Sequence, residues 1–204
     1  QVELVIYSHL NPTGIAAEHW PGITDDPASN NKKMITLEPA SESALESYPT
    51  QSYLPEDAWK LTQDAQRIEK NLHATILYHQ AWRINRQELL KNPMRFKITD
   101  QVINDFNSED EALPNQTTGK LLGSLYIRLT RYFNTRLQLT LSEPSSKIKP
   151  YLRHRVDPCG ASDICYFTFD VRRRTRSSTL NYLDHPLYGV LMEITPAEKP
   201  QPAA

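Results

Sequence analysis

The sequence predicts an α+β domain: an antiparallel sheet carrying one or two packed helices, with a ferredoxin-like core and extended hairpins as the best-fitting arrangement. Three observations lead there. One stretch, residues 54–72, places its apolar residues at helical spacing. Several others, at 2–7, 75–84, 121–141, 165–171 and 188–194, alternate with a period near two. Fifteen prolines against six glycines, in 204 residues, favour long loops over a helical bundle.

VELVIY at 2–7 sets Val2, Leu4 and Ile6 against Glu3, Val5 and Tyr7 and reads as a strand. Residues 8–57 carry Pro12, Pro21, Pro27, Pro39, Pro49 and Pro55 without a sustained period. They are expected to form a long loop within the domain, with Trp20, Tyr48 and Tyr53 as anchors. PEDAWKLTQDAQRIEKNL then opens as helices do, because free amides and the helix dipole favour proline and acidic residues in the first turn. Leu54, Ala58, Leu61, Ala65, Ile68 and Leu72 make its apolar stripe.

TILYHQAWRI at 75–84 is a second strand, with Ile76, Tyr78 and Trp82 on one face and Leu77, His79 and Ala81 on the other. Residues 85–118 are expected to hold one strand in KNPMRFKITDQVI, a polar loop, and a helical turn at Glu109–Leu113. The strongest period-two signal runs over 121–141, where nearly every odd position is apolar. Either one long curved strand passes through RYFNT, or a bend at 131–135 reverses direction without changing parity. ICYFTFDVRRR turns Cys165, Phe167, Phe169 and Val171 inward, YGVLMEI supplies the last strand, and residues 196–204 read as a disordered tail. The domain is thus expected over 1–195.

With 39% apolar residues and 18 aromatics, the chain can bury a real core. Its net charge of −1 hides an asymmetry: residues 1–118 hold 10 basic and 17 acidic side chains, residues 119–204 hold 13 and 7. A basic second half suits an anionic polymer, an acidic neighbour, or the first half of the same chain. No apolar run is long enough to span a bilayer. The first residue is Gln1, as a mature exported chain or a trimmed one would show. Cys159 and Cys165 bracket CGASDIC, a spacing that can close a small disulfide loop and then favours an oxidising compartment, two free thiols being the alternative. No metal or cofactor is expected, since the six histidines show no ligand spacing and phosphate-binding glycine loops are missing.

Two features bear on chemistry. Asp184-His185 could suggest a relay, but adjacent residues on extended backbone point to opposite sides, and Pro186 holds His185 out of helical conformation. Asp184 is expected to accept amide hydrogen bonds in a turn, with His185 packing or donating at the strand entry. DVRRRTRS is sharper. Alternation puts Arg172, Arg174 and Arg176 on one face and Arg173 on the other, and Arg128, Arg131 and Arg136 extend the field if their strand is adjacent. Guanidinium forks grip carboxylates and phosphates, whereas the bland reading is a solvated sheet face. His79 reads as a satisfied core histidine. Trp82 is either core or a platform for a sugar ring.

VELVIY, YHQAWR, LLGSLYIRLTRYFNTRLQLTL and above all RRRTRSSTLNYLDHPLYGVLMEITP resemble the CsiV family of proteobacterial periplasmic proteins. Thr175 stands where the family's arginine run has methionine, and Phe133-Asn134 replace a Leu-His pair. The resemblance implies a periplasmic, non-enzymatic protein that binds peptidoglycan or anionic wall fragments and supports cell shape. It also implies work beside a murein synthase or its activator; the net charge of −1 and the cysteine pair argue separately against nucleic acid, and the lack of a long apolar run against a membrane span. A pure protein–protein adaptor and a wall hydrolase are the competing readings. The family brings no established site residues, so Arg172, Arg174, Arg176, Trp82 and Asp184 are binding candidates on charge and position alone.

Overall fold

A computed structural model describes residues 1–9, 34–39, 52–72, 74–99, 121–152, 159 and 163–197. Among the described residues, ten strands fall into two sheets. The first joins β1 (Val2–Ser8), β2 (Glu38–Pro39), β3 (Ser52–Tyr53), β4 (Thr75–Trp82), β9 (Asn181–His185) and β10 (Tyr188–Ile194) in the order β2-β3-β4-β1-β10-β9. The second is an antiparallel meander of β5 (Met94–Thr99), β6 (Leu121–Leu129), β7 (Phe133–Pro144) and β8 (Ile164–Thr175). Helix α1 spans Thr62–Leu72, α2 Arg86–Lys91 and α3 Ser145–Ile148. The α+β class predicted from the sequence therefore stands, with the strands divided between two sheets where one was expected. The strand following α1 pairs directly with β1, antiparallel, with no strand inserted between them as a ferredoxin-like unit would require.

The two sheets pack face to face. Val2, Leu4 and Ile6 of β1 and Val190, Met192 and Ile194 of β10 share one core with Phe96, Ile98, Leu125, Ile127, Leu137, Leu139 and Phe167 of the meander. The other face of β1 meets α1: Val5 and Leu191 pack on Leu61 and Ala65, with Ile68 and Ile76 beside them. Burial of β1 on both faces explains why VELVIY is almost wholly apolar. At Gly189 the absent side chain leaves room for the Tyr7 ring, which lies directly over it across the β1–β10 ladder.

α1 begins later than its sequence suggests. Pro55 and the acidic pair open a 3-10 turn at Glu56–Ala58, and the α-helix starts only at Thr62. Leu54 is buried as an extension of the sheet, its amide donating to the Ala81 carbonyl at 2.8 Å, and Leu72 is exposed. A β-bulge in β4 accounts for a second departure. The pairing passes from Ile6–Tyr78 to Tyr7–Ile76 and skips Leu77, so Ile76 turns to the helix side while Leu77 and Tyr78 face the main core.

Residues 121–144 form the hairpin that preserved parity allows. Leu129 faces Phe133, Leu121 faces Leu141, and Thr130–Tyr132 make the turn, so odd residues of both strands meet the core together. α2 is capped by Asn85, whose side-chain oxygen accepts from the Gln87 and Glu88 amides at 2.9 and 3.3 Å. Cys159 and Cys165 form a disulfide. Within the proline-rich segment, Tyr53 packs partly buried on the core, its hydroxyl 3.5 Å from that of Tyr78. Trp20, Tyr48, the helical turn expected at 109–113 and residues 198–204 of the tail lie outside the described residues.

Candidate functional site

The outward face of the meander gathers the arginines. Its register sets Arg95 opposite Tyr126, Tyr126 opposite Arg136, and Arg136 opposite Arg172, one row crossing all four strands. The next row holds Arg128, Asn134 and Arg174. Together with Thr130, Thr135 and Arg173 these residues line a cleft of about 760 Å³. The alternation that drives Phe96, Ile127, Leu137 and Val171 inward turns the arginines outward.

Asp170 is the only acidic side chain at the outward positions of these strands. Its carboxylate accepts from Arg136 Nε at 2.7 Å and from Arg136 Nη2, and Gln138 donates to it at 3.2 Å. The hydrogen bond from Arg136, with the charges of Arg136 and Arg172, holds the Asp170 carboxyl below the usual carboxylate range. One carboxylate set beside the five guanidiniums of the outward positions leaves the face strongly positive. Like charges on directly opposed residues, about 5 Å apart, repel by on the order of 1–3 kcal/mol at the surface. An anion seated among them would relieve that repulsion.

The hairpin turn adds an aromatic element. The Arg174 guanidinium lies 3.8 Å from the centroid of the Tyr132 ring, with Arg131 and Arg176 each at 5.7 Å. Of the five residues proposed from the sequence, Arg172 and Arg174 line the cleft. Arg176 follows the end of β8 and joins the cleft only through the shared stacking on Tyr132.

Trp82 cannot meet a sugar: it is 0% exposed and packs on Phe96, ring centroids 5.3 Å apart, between the two sheets. Asp184 belongs to β9 on the other sheet, away from the arginine rows. It also corrects the turn expected around it. Its exposed carboxylate accepts from the Tyr182 hydroxyl at 2.8 Å and lies 3.6 Å from His9 Nε2.

It is His185 that secures the turn, its Nδ1 accepting from the Leu187 amide at 3.2 Å while its ring stacks on Tyr188. Burial, aided by His9 and opposed by Asp184, pushes the His185 imidazole down to about 4. With the folded value below the ordinary 6.5, its contribution to stability is complete above about pH 6.5. The contribution drains away as pH falls toward about 4, by roughly 2–3 kcal/mol. His185→Gln, which can still accept from the Leu187 amide, should flatten that part of a denaturation-versus-pH profile. An unchanged slope would assign it to other groups.

Asp184 is exposed and His185 buried, so the pair forms no relay, and Ser177 Oγ is engaged with the Ile194 carbonyl at 3.4 Å. Among the described residues, no group of three or more His, Cys, Asp or Glu is placed to hold a metal, and no helix is long and apolar enough to cross a membrane.

Sequence reasoning missed Arg95. It stands alone in KNPMRFKIT, and only the pairing of β5 with β6 brings it to the row. β9 was missed because NYLDH carries too short an alternation to separate from a turn. The crossover into it is pinned by Asn181, whose side-chain amide donates to Thr175 Oγ1 and the Thr179 carbonyl, both at 2.8 Å.

The chain is thus a small α+β protein of two packed sheets, the outward face of its meander basic and edged by Tyr132. The family profile described as "Peptidoglycan-binding protein, CsiV" matches residues 1–197, and the chain belongs to that family. It is accordingly a periplasmic, peptidoglycan-binding protein. Comparison with curated proteins and with solved structures gives no match.

Proposed function

We propose that this protein holds peptidoglycan on the outward face of β5–β8 and in this way supports cell shape. The observation that carries the reading is the cleft itself: six arginines converge where a single acidic side chain balances them. Murein suits such a surface. Its stem peptides carry carboxylates that guanidinium forks can grip, and its sugars offer faces to the tyrosines at the cleft edge. Exposed ion pairs are individually weak and salt-sensitive, so occupancy draws on the repetition of the polymer.

Sedimentation with purified sacculi tests this. The double variant Arg172→Ala/Arg174→Ala should lower the pelleted fraction several-fold at low salt, and added salt should do the same to the parent. Asp170→Asn, which frees Arg136 and removes the local negative charge, should move retention the other way. A double variant that pellets like the parent excludes this face as the wall-binding surface. A second reading, an adaptor for a murein synthase or its activator, is favoured by the exposed Leu180 and Tyr182 at β9, the edge strand of the larger sheet. If the parent pellets only when such a protein is added, that reading replaces direct binding.

A further inference from the structure

Arg95 differs from the other arginines of the cleft. It is only 9% exposed, yet its guanidinium nitrogens Nε and Nη1 are buried with no hydrogen-bond partner among the described residues. It also lines the cleft, at the β5 end of the row that continues through Tyr126, Arg136 and Arg172. Its exposed neighbours can hydrate their charge at every nitrogen, but Arg95 cannot at Nε and Nη1, and leaving buried donors of a cation uncompensated is costly. A charge kept under these conditions suits a site completed by a ligand of opposite charge. The backbone around it is firmly set, since the Arg95 carbonyl accepts from the Ile35 amide at 2.8 Å and the Lys97 amide donates to the Ile35 carbonyl at 2.9 Å. The side chain is therefore presented from an ordered strand rather than from a loop.

We propose that Arg95 is the anchor of the cleft and takes one carboxylate of a murein stem peptide, while Arg128, Arg172 and Arg174 attract the polymer less selectively. This rests on the reading that murein binds this face, and it narrows what is recognised to the peptide carboxylate, not the glycan. Either edge of the guanidinium that a carboxylate can fork includes Nε or Nη1, so a bidentate ligand satisfies a nitrogen now without a partner once the side chain turns that edge toward the cleft. The planar fork explains why arginine stands here, since lysine offers only a point charge.

The test uses soluble muropeptides with free carboxylates, the same muropeptides after amidation, peptide-free glycan strands and inorganic phosphate, each titrated against the intact chain. The parent should bind the free-carboxylate muropeptide at least tenfold more tightly than the amidated form or the glycan. Arg95→Met, of similar length but uncharged, should lose at least tenfold in that affinity while its Tm holds or rises, because a buried unpaired charge has been removed. Arg95→Lys should recover little. Equal binding by Arg95→Met and the parent overturns the proposal, as does equal binding of the amidated muropeptide. A lowered Tm in Arg95→Met would assign Arg95 to the core instead, and tight phosphate binding without muropeptide binding would reassign the site to a phosphate. The wider reading is judged separately. If sacculi are lost by Arg172→Ala/Arg174→Ala but kept by Arg95→Met, only the anchor falls, and if both variants keep sacculi, the wall-binding face itself is wrong.

Discussion

Glu3→Ala should lower the unfolding free energy by about 3–5 kcal/mol, the expected cost of removing a buried, fully hydrogen-bonded carboxylate. Glu3 is 2% exposed on the central strand of the larger sheet. Its carboxylate accepts from the Lys60 amide at 2.7 Å, the Leu61 amide at 2.8 Å and His79 Nε2 at 2.8 Å. Those two amides immediately precede α1, where a helix has backbone donors without partners of its own. The eleven residues of α1 are too few to stay helical alone. Leu61 and Ala65 supply only a small apolar contact, so Glu3 both caps the helix and ties it to the sheet.

Truncation would remove at once the acceptor of the buried Leu61 amide, of the part-buried Lys60 amide and of His79 Nε2. Urea denaturation measures the loss, and hydrogen exchange in residues 62–72 should rise before that of the meander. Glu3→Gln, which keeps an acceptor but not the charge, should cost less. A Glu3→Ala protein within about 1 kcal/mol of the parent would mean that α1 is held by its apolar contacts alone.

Trp82→Ala should also cost about 3–5 kcal/mol, through lost burial and the cavity left between the sheets. Trp82 is among the largest wholly buried side chains and meets Phe96 across the sheet interface. Wall binding per folded molecule should nevertheless stay unchanged, because the arginine rows lie on the opposite face of the meander. Trp82→Phe, which retains most of the volume, keeps the comparison measurable if the alanine variant does not fold. Normal stability together with lost sacculus binding would place Trp82 in the binding surface and contradict its burial.

Much of this fold was legible in one dimension. Period-two alternation marked β1, β4, β8, β10 and both arms of the β6–β7 hairpin, because each strand has a core side that must be apolar. The helical stripe marked α1, although the 3-10 turn at Glu56–Ala58 shows that favourable first-turn residues do not by themselves start an α-helix. The small elements β2, β3 and β9 were hidden. Strands of two to five residues owe their pairing to neighbours rather than to a pattern of their own.

The candidate site was half visible for the same reason. DVRRRTRS announced Arg172 and Arg174 as a local run, and alternation gave their shared face. Arg95, Tyr126 and Arg136 are distant in sequence, and only the register of β5–β8 sets them in one row. Trp82 and Asp184 went the other way, because alternation names two faces of a strand without saying what covers each.

What the sequence alone determined is the α+β class, the period of each long strand, the family and a basic second half, all of which depend on residue identity and short-range spacing. The tertiary structure decided how many sheets form, which face of each strand is buried, and which arginines share a cleft. Those properties depend on pairing register and on layers packed from opposite ends of the chain, and no local pattern of residues encodes them.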